Sequence, residues 1–261
     1  MPRTEAARRR LAVGLAGVLV WGAAVAGACE RTGFVVAVDP GHTAAQPGAI
    51  SARGVPEVQF NDRLGARIVA ALRDAGFVRS FLTRRGDGPV TLQQRAQIAN
   101  ARGAQLLLSV HHDSAQPHKL QTWVYRGQPR SYTDQISGFS LFVSARNAEP
   151  ARSEAFARLL GARLLAACRQ PTLHHAEPIA GEGRELLDAR IGLYRFDDLA
   201  VLRLAQMPAV LFEAGVIVHR DEERRLRSKA QQRRIAAAVA AAVADFCAER
   251  PAAAGPAPAC R

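Results

Sequence analysis

Four side chains in this sequence have the types and settings to bind a metal ion and move a proton beside it: His42, Glu57, His111 and Glu213. His42 follows Phe34-Val-Val-Ala-Val38, an apolar β-branched run that stops at Asp39-Pro40-Gly41. That pattern predicts a buried strand ending in a turn, so His42 lands just past a strand's carboxyl end, where open α/β sheets place their ligands. A loop loosened by Pro47, Gly48 and Gly54 then delivers Glu57 to the mouth of an amphipathic helix. Leu106-Leu-Leu-Ser-Val110 is a second continuous apolar run with His111 at its end, and Pro208-Ala-Val-Leu-Phe212 repeats the design with Glu213. Two imidazoles and a carboxylate meeting at one sheet edge suit Zn²⁺, and three ligands with an open position and a nearby Glu make a catalytic layout, not a structural one. His42, Glu57 and His111 are therefore the candidate zinc ligands, for one ion, and Glu213 the candidate general base.

Bringing these groups together requires alternating strands and helices. Leu64, Ile68, Val69 and Leu72 form a helical stripe over residues 58–76, with Gly76 as its stop. Residues 77–83 are expected as a strand, and Thr91-Leu-Gln-Gln94 as a capping box opening a helix through Ala101. Further strands are expected at 105–110, 121–126 and 140–144, then an Ala-rich helix from Ser153 to about Cys168. Asp221, Glu222 and Glu223 suit the positive N-terminal end of one long last helix, whose Leu226, Ile235, Val239 and Val243 face inward. The alternation predicts a single α/β domain, its mostly parallel twisted sheet of about six strands flanked by helices, with the zinc site at the strand C-terminal edge. Trp123 and Tyr125 share a strand face, and packing is their expected role ahead of stacking on a sugar. Residues 169–198 are irregular and acidic, and His174-His175-Ala-Glu177 lies there without metal-ligand spacing, so it is not taken as a second metal site.

Asp39-Pro-Gly-His42, Glu57, Ser109-Val-His111 and Pro208-Ala-Val-Leu-Phe-Glu213-Ala-Gly215, in that order, resemble the zinc-dependent N-acetylmuramoyl-L-alanine amidases of bacterial cell-wall remodelling. The likeness spans roughly residues 33–248 and takes in Leu82-Thr-Arg-Arg85, Leu92-Gln-Gln-Arg-Ala-Gln-Ile-Ala-Asn100 and Leu199-Ala-Val-Leu-Arg203. The resemblance selects His111 over His112 as the ligand, which agrees with neighbours on an extended segment pointing to opposite sides. It implies hydrolysis of the amide between N-acetylmuramic acid and L-alanine in peptidoglycan, in wall remodelling or daughter-cell separation. It also implies that an activator protein can act on such an enzyme and that a segment like 169–198 can cover the zinc. Thr43-Ala44 stands where the family often has glycines, which puts the shape of that loop in question. Two other functions fit the residues: a zinc peptidase cutting the stem peptide, and a non-catalytic wall-binding protein on the same fold.

Residues 1–28 carry Arg3, Arg8, Arg9 and Arg10, an apolar stretch from Leu11 to Gly27 and the small-residue site Ala26-Gly-Ala28. This is the pattern of a signal peptide; the stretch falls short of the ~20 residues of a membrane span. Cleavage there places the protein in the periplasm or cell envelope, and Cys29, next in line, could carry a lipid anchor. In an oxidising compartment Cys168 could pair with Cys247, or Cys247 with Cys260, buried free thiols being the other reading. The formal charge is +12, and +9 once the four arginines and Glu5 of the leader are removed. That balance suits an anionic wall polymer, while the scatter of arginines without interleaved aromatics argues against nucleic acid. Residues 251–261 are a flexible tail by composition, and the enzyme is expected to act as a monomer.

Overall fold

The computed structural model describes residues 29–249 apart from Asp87 and Pro89; the leader and tail assignments, and Cys260, fall outside that range. Fifteen strands and helices follow one another: β1 Val36–Pro40, α1 Glu57–Asp74, β2 Phe81–Leu82, α2 Leu92–Ala101, β3 Leu106–Asp113, β4 Gln121–Tyr125, β5 Gln128–Tyr132, β6 Ser140–Val143, α3 Pro150–Ala166, β7 Glu185–Asp188, β8 Leu193–Arg195, α4 Ala200–Leu204, β9 Ala209–Val216, α5 Arg220–Arg227 and α6 Lys229–Cys247. Seven strands form one sheet in the order β2-β1-β3-β9-β6-β8-β7. β2, β1, β3 and β9 run parallel, β6 runs against β9, and β7 closes the edge antiparallel to β8. The mostly parallel sheet is thus present, one strand larger than expected.

Both faces of the sheet are covered, which is why β1 and the first five residues of β3 are buried without alternation. Phe60, Leu64, Ile68 and Leu72 of α1 pack with Phe156, Leu160 and Leu164 of α3 and Val239 and Val243 of α6 on one side. Ala99 of α2 and Val201 and Leu202 of α4 fill the other against Ala37, Leu107 and Leu211. The parallel register stacks Val38 on Leu108 and Leu108 on Val210, so β1, β3 and β9 end at the same edge.

Four expectations change. The strand at 77–83 shrinks to Phe81–Leu82, because Phe77 caps the end of α1 through its N–H to the Leu72 carbonyl and fills the core. Residues 169–198 are not irregular throughout: they supply β7 and β8, strands too short to show a period in sequence. The single last helix is two, broken at Ser228, whose hydroxyl caps α6 by accepting from the Gln231 N–H. Asp221, Glu222 and Glu223 do stand in the first turn of a helix, α5, where Glu222 and Glu223 are buried and their carboxylates pin loops. Glu222 accepts from the backbone N–H groups of Gly138 and Val216 and pairs with Arg169 at 2.7 Å. The 121–132 segment is a hairpin apart from the main sheet, turning at Arg126 and Gly127, both with positive φ as a two-residue hairpin loop requires. Trp123 stacks on Tyr125 and donates its indole N–H to the Ala52 carbonyl, a packing role.

Cys29 is bonded to Cys247, so neither expected partner of Cys247 is the one it takes. The bond ties the start of the described chain to the end of α6. One sulfur cannot hold both a disulfide and a lipid thioether, so a lipid anchor at Cys29 and this bond exclude each other. Among the described residues, no helix is long and apolar enough to cross a membrane. Replacing both cysteines, Cys29→Ser with Cys247→Ser, should lower the unfolding free energy by about 2–4 kcal/mol. Urea unfolding of the oxidised protein checks this, and an unchanged midpoint would contradict it.

Candidate metal centre

His42 is held in a conformation it would not choose. Its φ of 66° lies in the left-handed region, which costs a non-glycine residue strain that the surroundings must offset. The offset comes from Arg95 of α2, whose buried guanidinium donates to the carbonyls of Pro40 at 2.6 Å and His42 at 2.5 Å. The charge of Arg95 is matched by Asp39, also buried, at 2.9 Å. Asp39 in turn accepts from Ser109 of β3 at 3.0 Å and from the Thr83 hydroxyl. Three neighbouring segments therefore grip the turn that presents the imidazole.

Glu57 is the first residue of α1, and its loop is fastened at several points. Its own N–H donates to the Ala49 carbonyl at 2.8 Å, while Ala52 donates to Ile217 just past β9. Ser51 and Arg53 both reach the buried Glu223 carboxylate, at 2.9 and 2.6 Å. Asn61, one turn further along α1, donates to Glu57 Oε1 at 3.0 Å and turns its own oxygen to His112 Nδ1 at 2.7 Å.

At the centre, His42 Nε2 lies 3.0 Å from Glu57 Oε2, and His111 Nδ1 lies 3.0 Å from Glu57 Oε1. Ligand atoms of the three all fall within 4.8 Å of one another. Further donors reach Glu57 from the N–H groups of Ala49, at 3.1 Å, and His112, at 3.2 Å. Burial alone would raise the Glu57 carboxyl, but the hydrogen bonds and charges of His111 and His42 overrule it and hold the group well below the usual range. His112 points to the other side of β3, where burial pushes it down to about 3 and keeps it neutral. Two glycines leave room: a Cβ on Gly41 would collide with the His111 ring, and one on Gly48 would overlap Glu57 Oε2 and stand 2.7 Å from His42 Cδ2.

Glu213 pairs in register with His111 across β3 and β9, which puts both side chains on one face of the sheet. Its Oε2 is buried without a hydrogen-bond partner. Burial first, then the negative charges of Asp113 and Glu57, raise its carboxyl well above the ordinary value. A donor set of two imidazoles and one carboxylate, a cradle that excludes Cβ atoms and an orphaned acid oxygen at its side together fit a small borderline cation such as Zn²⁺. A cleft of about 230 Å³ opens on the same turn, lined by Thr43, Gln46, Leu92, Val201 and the two histidines.

Sequence reasoning missed Arg95, Asp39 and Asn61 as the residues that orient the centre. Asn61 could have been found from its i+4 spacing to Glu57. Arg95 had no such signal, since nothing local reveals that a helix points it beneath a distant turn. A second group also forms where none was expected: Asp113, His174 and His175 bring ligand atoms within 4.8 Å. Glu177, from the same stretch, turns away to Lys119 at 3.1 Å, and His118 is exposed. Burial lowers His175, but hydrogen bonds to Asp113 and Glu182 outweigh it and raise the imidazole to about 9.

Residues 36–245 match the family model described as N-acetylmuramoyl-L-alanine amidase. The chain is 25% identical over 231 residues to the Haemophilus influenzae protein named probable N-acetylmuramoyl-L-alanine amidase AmiB, covering 78% of this chain and 50% of that relative. It therefore spans about half the length of that protein. An N-acetylmuramoyl-L-alanine amidase of Mycobacterium tuberculosis is 29% identical over 240 residues, 82% of this chain and 86% of the relative. The crystal structure of the amidase Ami1 from Mycobacterium smegmatis superposes with a TM-score of 0.64 at 24% identity, over 84% of this chain and 98% of that one, a likeness of fold.

Two substitutions test how the centre is held. Arg95→Leu leaves Asp39 buried and unpaired and should cost about 3–5 kcal/mol in urea unfolding; a loss below 1 kcal/mol would contradict the role given to Arg95. Gly48→Ala pushes on Glu57 and His42 and should weaken Zn²⁺ binding on the order of 10–100-fold by calorimetric titration, with an unchanged affinity contradicting the cradle.

Proposed function

The chain belongs to the N-acetylmuramoyl-L-alanine amidase family, and on that premise we propose that it is an exported zinc amidase. Its substrate in this reading is peptidoglycan, and the bond cut joins the lactyl group of N-acetylmuramic acid to the L-alanine of the stem peptide. The observation that carries the reading is the convergence of His42, Glu57 and His111 beside a Glu213 oxygen that no other group satisfies.

His42, Glu57 and His111 would hold the ion. Zn²⁺ bound there acts as a Lewis acid toward a carbonyl and lowers the pKa of a water toward ~7. Glu57 supplies a negative charge, and each of its two oxygens meets one imidazole at 3.0 Å. Glu213 is the proton carrier: on the neighbouring strand, in register with His111, it takes the proton of the attacking water and returns it to the leaving amine. Such acid–base work is typically worth about 10²–10⁴ in rate. A carboxyl whose burial favours the protonated form is suited to the second half of that task, giving the proton back. Asn61 and Arg95 take no part in the proton transfer; they fix the angles at which Glu57 and His42 are presented.

The Cys29–Cys247 disulfide supports export, since such bonds persist in oxidising compartments. The charge of +9 left once the four arginines and Glu5 of the leader are removed favours approach to an anionic polymer.

Glu213→Gln should keep zinc content near one equivalent at the centre while cutting amide hydrolysis by about 10²–10⁴ or more, read by dye release from labelled sacculi and by zinc analysis. A fully active variant would remove Glu213 from the role of base. Chelation should abolish hydrolysis and added Zn²⁺ restore it, with mass spectrometry of the digest showing stem peptides with a free L-alanine amine and glycan strands whose N-acetylmuramic acid carries a free lactyl carboxylate. Products cut within the stem peptide would instead mark a zinc peptidase.

A further inference from the structure

We propose that Asp113, His174 and His175 form a second divalent-cation site, for Zn²⁺ or a similar borderline metal, that fastens the segment 172–182 to the end of β3. The three residues share no ligand with the first centre. His174 and His175 sit in a 3₁₀ turn, His174–Ala176, which keeps the two neighbouring side chains on one side, unlike an extended strand. Their ring centroids are 3.9 Å apart. Both Nε2 atoms aim at a single oxygen, Asp113 Oδ2, His175 from 2.8 Å and His174 from 3.3 Å. All this happens among buried groups: His174 and His175 are 7% and 8% exposed, and Phe142 and Tyr194 wall the His175 ring.

The far side of each imidazole carries the second half of the argument. His174 Nδ1 lies 2.9 Å from the Thr172 hydroxyl, and His175 Nδ1 lies 3.0 Å from Glu182 Oε2. Glu182 is itself held by the Gln116 side-chain amide. Oxygen partners behind both Nδ1 atoms, fixing ring orientation while both Nε2 atoms converge in front, is how proteins present imidazole to a metal. Glu182 can only accept, so the proton on His175 belongs on Nδ1. His175 Nε2 is then left facing Asp113 Oδ2, the same oxygen that His174 Nε2 meets. A single divalent cation satisfies both imidazoles and the carboxylate at once. Two imidazole nitrogens and one carboxylate are a donor set that Zn²⁺ accepts.

The test counts metal on the full, tag-free protein. After stripping with chelator, Zn²⁺ titration by calorimetry and metal analysis after desalting should give two equivalents per chain. His174→Gln with His175→Gln should give one equivalent, and His42→Ala with His111→Ala should also give one. His174→Gln alone serves if the double variant does not fold, and it should weaken the second equivalent at least tenfold. A wild-type count of one, lost in the His42/His111 variant, overturns the second site and leaves the amidase reading standing. Two equivalents that His174→Gln does not weaken also overturn it.

Discussion

A carboxylate buried as deeply as that of Glu57 has to be compensated where it stands, and most of the architecture around the centre follows from that requirement. Its two oxygens collect contacts from His42, His111, Asn61 and the backbone N–H groups of Ala49 and His112. These come from the turn after β1, the loop before α1, α1 itself and β3. No two of them could be moved independently without leaving the charge exposed to an apolar interior. The cluster therefore works as a registration device for separate segments as well as a prospective ligand set.

Around it lies a second ring of buried charge. Arg95 and Asp39 hold the turn of His42; Glu223 holds the loop of Glu57 through Ser51 and Arg53; Glu222 with Arg169 holds the loop after β5 and the end of β9. Each carboxylate meets either a guanidinium or several backbone N–H groups, so none is left uncompensated. Buried ion pairs of this kind add little net stability compared with apolar packing, but losing one partner is costly. Their use here is geometric. They sit where loops, not strands, must be held, next to the residues whose positions matter for chemistry.

Much of this was legible from the sequence. The apolar runs ending at Asp39, Val110 and Phe212 marked three parallel strands, and placing His42, His111 and Glu213 at their ends needed only the rule that such sheets expose function at the carboxyl edge. Glu57 at a helix start and the box at Thr91 were equally local signals. What could not be seen depended on contacts across long sequence gaps. The short strands β7 and β8 have no period to detect. Arg95 looks like any helix arginine until α2 is laid under the turn of His42. His174 and His175 looked like a loop pair because their third partner, Asp113, lies on β3, brought near by folding alone. Glu222 and Glu223 are legible as acids at a helix start, but the loops they hold are supplied only by the tertiary fold. Cys29 suggests a lipid anchor by its place after Ala26-Gly-Ala28, and nothing local reveals its partner, Cys247, 218 residues away.

Zinc-edge anomalous diffraction from crystals of the zinc-loaded protein tests the central claim most directly. The account predicts a peak bonded to one nitrogen of His42, one of His111 and an oxygen of Glu57, at about 2.0–2.2 Å, with Glu213 beside it and unbound. A map with no peak among His42, His111 and Glu57, or a peak that Glu213 binds directly, would contradict it.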